Sequence, residues 1–157
     1  MIHIQPDNFF MKNQKSIVTK KKIIAPVGIV WEVLLDPVFT QQWGNAFSDG
    51  VWVEAEWKKG GLVLWKDKDG NIGAKGIVRA IERNQMIQIE YFDEVDIEDV
   101  NTATGNYKET FTLSSIEGKT LLSIEAGPLT EIDAEQHGPL WEKALEKIKS
   151  LAEANYS

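Results

Sequence analysis

The feature that most restricts the fold of this sequence is an apolar stripe close to its C-terminus. One helical face collects the apolar side chains of this segment, namely Leu140, Trp141, Ala144, Leu145, Ile148, Leu151 and Ala152, while lysine and glutamate occupy the opposite face. This spacing predicts an amphipathic helix. Burial of its larger side chains contributes about 1.5–3 kcal/mol each, before the loss of conformational entropy. A stripe of this length needs an extended apolar partner surface.

The middle of the chain offers such a surface, because apolar and polar residues alternate there with a period of two. The alternation predicts strands at 51–57, 61–66, 74–82, 85–92, 107–115 and 119–126, after an earlier strand at 16–24. Short turns containing Gly, Asn or Asp join most of these segments, as antiparallel hairpins require. The prediction is a sheet whose apolar face covers the stripe.

The longest link between these strands, residues 93–106, carries five acidic residues and no alternation of its own. It lacks the central Gly and the terminal Glu of a calcium-binding EF-hand loop. The link is therefore predicted to be a solvated flap.

Two short helices are predicted between the first two strands. Pro26 stands at the start of the first helix, and the Asp36-Pro37 pair ends it, because a residue before proline avoids helical angles. The segment 37–43 is predicted to form the second helix. Asp133 and Gln136 resemble a capping box, but Pro139 places the expected start of the final helix near Gly138.

This order of elements indicates an α+β fold with a curved antiparallel sheet of six to seven strands wrapped around a long C-terminal helix. We expect residues 16–157 to form one domain and residues 1–15 a loosely held extension, with Met11 as a second possible start.

Composition excludes several functional classes. The net charge of -7 opposes broad contact with nucleic acid or an anionic membrane. The chain has no Cys, which removes disulfides, thiolate zinc sites and Cys nucleophiles. The one basic run, Lys20-Lys21-Lys22, is predicted to lie on a solvated sheet edge. No apolar segment is long enough to span a bilayer and no secretory signal is evident, so a cytoplasmic protein is expected. With only two His and no Cys, no metal site is expected, and no cofactor is expected either.

Four motifs in sequence order resemble the START-like (SRPBCC) superfamily. IIAPVGIVWEVLLDPVFTQQW resembles its opening signature, and WKKGGLVLWKDKDGNIGAKGIV resembles the paired strands of the branch named for the activator of heat-shock-protein-90 ATPase. GKTLLSIEAG resembles the penultimate strand and HGPLWEKALEKIKSLAE the final helix. The branch usually has Gly and Trp adjacent in that helix, whereas Pro139 and Leu140 separate them here.

The resemblance covers about residues 16–153 and implies the helix-grip fold. Members of the superfamily carry lipids, sterols, hormones or polyketides between sheet and helix, and some are aromatases or cyclases. The branch includes a eukaryotic cochaperone domain. A shared fold does not by itself assign a function.

The strand at 107–115 supplies the most informative candidate residue. Strict alternation places Tyr107, Glu109, Phe111 and Leu113 on one face. If that face is the inner one, Glu109 is a carboxylate beside the cavity with a raised pKa, and otherwise it is hydrated or paired with a cation.

Further cavity candidates are Tyr91, His137, Trp141 and Leu145. His137 would lie where the final helix begins, either at the cavity mouth or as a solvated residue. The other tryptophans, Trp31, Trp43, Trp52, Trp57 and Trp65, are assigned mostly to the core, as aromatic residues at such spacing usually are.

Three functions remain open. The sequence favours a non-enzymatic domain that binds an apolar or aromatic small molecule. The alternatives are a protein-interaction module and a polyketide cyclase-like enzyme using Glu109, Tyr107 or His137. A cavity of a few hundred Å³ would favour a ligand, and a filled core would favour a protein partner.

Overall fold

The computed structural model describes residues 14–92 and 106–156, which form one antiparallel sheet and three helices. The strands are β1 (Gln14–Ile23), β2 (Trp52–Ala55), β3 (Leu62–Lys66), β4 (Ile72–Glu82), β5 (Met86–Tyr91), β6 (Tyr107–Ile116) and β7 (Lys119–Thr130). The helices are α1 (Val27–Leu35), α2 (Pro37–Gly44) and α3 (Glu131–Tyr156). The predicted order of elements is confirmed.

The seven strands lie in the order β1-β7-β6-β5-β4-β3-β2, so the first strand pairs with the last. All other neighbours are consecutive antiparallel strands, and short turns predicted each of these pairs except β5 and β6. β1 and β2 are the two edges, and the basic run of β1 therefore lies on an edge as expected. Lys21 of that run reaches α3, where its Nζ lies 3.0 Å from Glu146 Oε2.

Burial alternates along the central strands, and this alternation defines the inner face of the sheet. In β6, Tyr107, Glu109, Phe111 and Leu113 are all buried, while Lys108 and Thr112 are exposed. The predicted inner face of this strand is confirmed. Helix α3 covers that face together with α1 and α2, and its apolar stripe is buried against it except for the half-buried Leu140 and Leu151.

The break between α1 and α2 lies where the Asp36-Pro37 pair predicted it. Asp36 is extended, and its carboxylate accepts a hydrogen bond of 2.9 Å from the backbone N–H of Val38. This bond caps the second helix, and Pro37 occupies its first turn, where a missing N–H costs nothing.

The prediction that α3 begins near Gly138 is wrong. The helix begins at Glu131, directly after β7, and continues through Pro139. Its first turn is capped by Thr130, whose Oγ1 accepts a hydrogen bond of 3.1 Å from the N–H of Asp133. Asp133, before Pro139, and Trp141, after it, are both buried. Tertiary packing therefore keeps the helix continuous, although Pro139 has no backbone N–H to donate.

None of the described helices is both long and apolar enough to cross a membrane. The acidic link 93–106, apart from Asn106, lies outside the described residues, as does the expected extension up to residue 13. Gln14 and Lys15, which were assigned to that extension, belong to β1.

Candidate functional site

The candidate site lies on the inner face of the sheet, where β5 and β6 pair. Tyr91 stands opposite Tyr107, and Ile89 stands opposite Glu109. Because paired residues of antiparallel strands project from the same face, these four side chains form a compact group. The group combines one carboxylate, two phenols and an aliphatic side chain.

Glu109 is the central residue of this group and is only 2% exposed. The Tyr107 hydroxyl donates a hydrogen bond of 2.7 Å to Glu109 Oε2. The Tyr91 hydroxyl lies near enough to this carboxylate to lower its pKa. The Tyr91 oxygen in turn accepts a 3.1 Å hydrogen bond from Trp65 Nε1. Among residues 14–92 and 106–156, no side-chain ion pair includes Glu109.

Burial dominates the electrostatics of the group. It raises the pKa of Glu109, because a charged carboxylate loses its hydration there. The positive charge of the N-terminus opposes part of that rise, followed by the hydroxyls of Tyr107 and Tyr91. Burial and the neighbouring Glu109 charge raise the pKa values of Tyr91 and Tyr107 well above 10. Both phenols are therefore protonated donors at neutral pH.

We expect Glu109→Gln to alter the pH dependence of stability. The raised pKa means that protonated Glu109 stabilises the fold below the unfolded-state pKa of about 4.3, and that this contribution is lost as pH rises through the folded-state pKa. Glu109→Gln removes the ionisable group, so the variant does not lose this stability as the pH rises, and it preserves the shape of the side chain. Its free energy of unfolding should exceed that of the wild type at pH 7–8 by on the order of 1 kcal/mol, with a smaller difference near pH 4.

Chemical denaturation of both proteins from pH 4 to 8 measures this difference. Glu125→Gln, on the exposed face of β7, is the matched control, since it removes the same charge without a buried partner. A difference between Glu109→Gln and wild type that stays constant with pH would contradict the prediction.

A small cavity adjoins the polar group. Its volume is about 20 Å³, and its lining consists of Leu34, Leu35, Trp43, Trp57, Trp65, Ile87, Ile89, Tyr91, Glu109 and Phe111. The space is close to that of one water molecule. This volume is far below the few hundred Å³ that the ligand hypothesis expects.

Of the candidate residues, the structure places Tyr91, Glu109 and Phe111 on this cavity. Tyr107 lies behind them, in contact with Glu109. Trp141 and Leu145 belong to the fully buried core of α3, and the half-buried His137 lies in the second turn of that helix, away from the lining.

Trp141 packs edge-on against two rings, with centroid distances of 4.7 Å to Phe47 and 5.8 Å to Phe111. Its indole N–H lies near enough to the Tyr107 hydroxyl to lower that pKa. It nevertheless makes no hydrogen bond of normal geometry with any described residue. Trp141 thus connects the helix core to the rear of the polar group.

Three tryptophans that sequence reasoning assigned to the core also line the cavity: Trp43, Trp57 and Trp65. A glycine in β4 permits the close approach of Tyr91 to that strand. Gly76 pairs with Tyr91, and a Cβ at this position would lie 3.0 Å from Tyr91 Cδ1 and 2.9 Å from the carbonyl oxygen of Glu90. A glycine inside a strand often marks such a close approach, and Gly76 is the feature of the sequence that could have indicated it.

Residues 24–153 match the family described as "Activator of Hsp90 ATPase homolog 1-like protein". The chain belongs to this family. The match covers most of the sequence and includes every residue that lines the cavity, so the expected branch of the SRPBCC superfamily is confirmed. No functionally curated protein matches the sequence.

Solved structures agree with the family at the level of fold. Protein MLL2253 from Mesorhizobium loti is 17% identical, with a TM-score of 0.70 over 91% of this chain and 100% of its own. CalU16 from Micromonospora echinospora is 21% identical, with a TM-score of 0.68 over 90% of this chain and 78% of its own. DynU16, a protein of the dynemicin biosynthetic locus, is 17% identical, with a TM-score of 0.68 over 90% of this chain and 48% of its own.

The described residues contain no group of three or more His, Cys, Asp or Glu side chains that could hold a metal ion. The chemistry of the candidate site is therefore that of one buried carboxyl, two phenols and an aromatic wall.

Proposed function

We propose that this family member is a non-enzymatic binding domain for a small organic molecule, which contacts Glu109 through the cavity between β5, β6 and α1. The observation that carries the proposal is a buried carboxylate, which accepts a hydrogen bond from the Tyr107 hydroxyl, at the wall of an aromatic cavity. Such a group offers binding specificity inside an otherwise apolar surface.

A purely structural role accounts poorly for this group. Burial of a carboxylate costs several kcal/mol even after relaxation, and apolar side chains of similar volume often serve stability as well or better. The inner face of β6 already has Phe111 and Leu113, and cross-strand Ala126 and Ile89 flank Glu109. An apolar residue at position 109 would thus continue the core.

The available acid–base groups support binding more than turnover. Both phenols have pKa values far above neutrality, so neither serves as a base near pH 7. Glu109 remains as a single titrating group.

We place the mouth of the cavity at Trp57 and Leu35, because these two lining residues are half-buried and the other eight are buried. The Trp57 indole Nε1 donates a 3.1 Å hydrogen bond to the Leu35 carbonyl oxygen. This bond joins the segment after β2 to the end of α1. A ligand larger than water must displace these side chains to enter.

The test is native mass spectrometry of the purified chain, followed by titration with aromatic small molecules monitored by tryptophan fluorescence. Trp43, Trp57 and Trp65 surround the cavity, so occupancy should change the emission spectrum. The proposal expects an adduct or a saturable response that Glu109→Gln weakens and Glu125→Gln leaves unchanged. Absence of both responses would refute it.

We expect Trp57→Phe to accelerate ligand entry. The substitution keeps an aromatic ring at the mouth but removes the hydrogen bond to Leu35, at a cost of about 1 kcal/mol in stability. Association rates from stopped-flow fluorescence should rise several-fold. Trp52→Phe is the matched control, since it also removes an indole bond, of 2.9 Å to the Asp67 carbonyl oxygen, but lies away from the cavity. Equal rates in the two variants would contradict the assignment of the mouth.

The second candidate is a protein-interaction module, and the cavity volume of about 20 Å³ favours it. A nearly filled core leaves the surface as the region of contact. Under this alternative, the chain takes up no small molecule, and Glu109→Gln changes stability without changing affinity for a protein partner. The same titrations therefore separate the two functions.

A further inference from the structure

The sheet has two edge strands, and they differ in length. β2 is four residues long, whereas β1 is ten residues long and pairs with β7 on one side only. Among the described elements, β7 and α3 are those that pack extensively against β1. An edge strand presents backbone N–H and C=O groups to which another extended chain can bond. β1 is therefore the longer of the two edges at which the sheet can be extended.

The side chains of β1 form a regular exposed row. Every second residue from position 18 to position 24 is exposed, and these residues, which we call the β1 row, are Val18, Lys20, Lys22 and Ile24. The three residues between them are buried or half-buried. The row thus has an aliphatic side chain at each end and two lysines in the middle.

The two lysines of the row have no acidic partner among the described residues. Neither Lys20 nor Lys22 forms an ion pair there. The β7 residues that stand opposite them are Ser123 and Leu121, which carry no charge. The row therefore offers positive charge to a partner, although the net charge of the whole chain is -7.

Lysines on an edge also prevent sheets from joining, but this role does not explain the whole row. Protection of an edge requires charge, and it gains nothing from Val18 and Ile24, which are 56% and 54% exposed. The strand is also held to α3, because Lys21 Nζ lies 3.0 Å from Glu146 Oε2 and the Ile24 N–H donates a 2.8 Å hydrogen bond to Glu153 Oε2. These contacts keep the edge extended before a partner arrives, which lowers the entropic cost of binding.

We propose that β1 binds an extended acidic segment of a protein partner, which adds to the sheet as a further strand. The backbone of this segment would pair with the outer edge of β1, and its side chains would lie beside the β1 row. Carboxylates at every second position would meet Lys20 and Lys22, and aliphatic residues would meet Val18 and Ile24. The inferred pattern is aliphatic-x-acidic-x-acidic-x-aliphatic, which reads the same in both strand directions.

Other occupants suit the row less well. A second copy that paired through its own β1 would bring lysine against lysine, and like charges on facing strands repel. Nucleic acid and an anionic membrane would meet the field of the whole acidic chain, whereas a short segment meets mainly the local charge of the row. The proposal does not depend on the small-molecule function, since Lys20 and Lys22 lie on the opposite face of the sheet from Glu109.

The experiment uses three peptides with acetylated and amidated ends, each as long as the segment 18–24. The acidic probe is Val-Thr-Glu-Thr-Glu-Thr-Val, and the basic probe has lysine in place of both glutamates. The third probe is the acidic peptide with every backbone nitrogen methylated, so that it cannot donate hydrogen bonds to a strand. Binding is followed by backbone amide NMR of the protein at about 0.15 M salt, where only short-range charge attraction survives screening.

We expect the acidic probe to shift the amide signals of β1 and to bind about 10-fold or more tightly than the other two probes. The double variant Lys20→Glu, Lys22→Glu should bind the basic probe in preference, because both charges of the row are reversed. The matched control is Lys59→Glu, Lys68→Glu, which changes the charge equally at two exposed positions beside β3, near the opposite edge, and should bind like the wild type. Near-UV circular dichroism verifies that each variant is folded.

Equal binding of the acidic and basic probes, or no shift in β1 with the acidic probe, would overturn the proposal. Tight binding of the methylated probe would also overturn it, since that peptide cannot extend the sheet. If vesicles of phosphatidylcholine and phosphatidylserine bind instead of the peptides, and the double variant abolishes this, the row contacts a membrane rather than a protein. Each of these results leaves the small-molecule function intact, because that function is tested separately at Glu109.

Discussion

Trp141→Ala is expected to lower the free energy of unfolding by about 3–5 kcal/mol, the range found when a large aromatic side chain is removed from a core. Trp141 is 0% exposed, and its ring contacts Phe47 from the segment after α2 and Phe111 from β6. Its loss would leave a void between α3 and the sheet. The surrounding backbone would prevent this void from collapsing.

Chemical denaturation measures this loss, with Trp52→Ala as the matched control. Trp52 is half-buried, with one indole hydrogen bond and a contact of 5.0 Å between its ring and Lys66 Nζ. Its removal should cost about 1–2 kcal/mol. A loss for Trp141→Ala no greater than that of the control would show that Trp141 faces open space rather than packed core.

Truncation after Thr130 is expected to abolish cooperative unfolding. The truncated chain lacks α3, whose buried residues include Trp141, Leu145 and Ile148, and it exposes the inner face of the sheet. Burial of each large side chain contributes about 1.5–3 kcal/mol, whereas the net stability of a domain is about 5–15 kcal/mol. The removed contribution is therefore comparable with the whole stability.

Thermal unfolding followed by near-UV circular dichroism measures the result, and the expected signal is a molten or aggregated chain. A chain that ends at Ala154 is the control, since it retains Glu153, whose Oε2 accepts a 2.8 Å hydrogen bond from the Ile24 N–H. Cooperative unfolding of the shorter chain, with unchanged near-UV signal, would mean that the sheet does not depend on α3.

The small-molecule proposal rests on Glu109 and can be separated from the predictions on folding. Trp141 and α3 affect stability, because they cover the sheet, whereas Glu109→Gln is expected to keep or improve stability at neutral pH and to reduce binding. A variant that loses ligand affinity while gaining stability would identify a residue kept for function rather than for the fold.

Much of the fold could be read from periodicity. The period of two in 107–115 identified the buried face of β6, and the helical stripe from Leu140 to Ala152 identified the face of α3 that packs on it. Glu109 was found in the same way, since it falls in register with Phe111 and Leu113. These properties are local, because backbone geometry alone determines which side chains share a face.

The ends of elements and the cavity required the tertiary structure. Pro139 predicted a late helix start, but Thr130 and the buried neighbours of Pro139 extend α3 back to Glu131. Local propensity is a weak constraint when packing holds both sides of a proline, and only the folded chain supplies that packing.

The order of elements, the family and the inner position of Glu109 could thus be predicted from the amino-acid sequence. The folded chain was needed to show that Tyr107 donates to its carboxylate, that the Trp57 indole donates to the Leu35 carbonyl oxygen, and that a space of about 20 Å³ adjoins Glu109. The physical reason is distance along the chain: Trp65 and Tyr91 are 26 residues apart, and Trp57 and Leu35 are 22 apart. Periodicity assigns a side chain to a face, but the partner it meets there depends on how the strands and helices pack together.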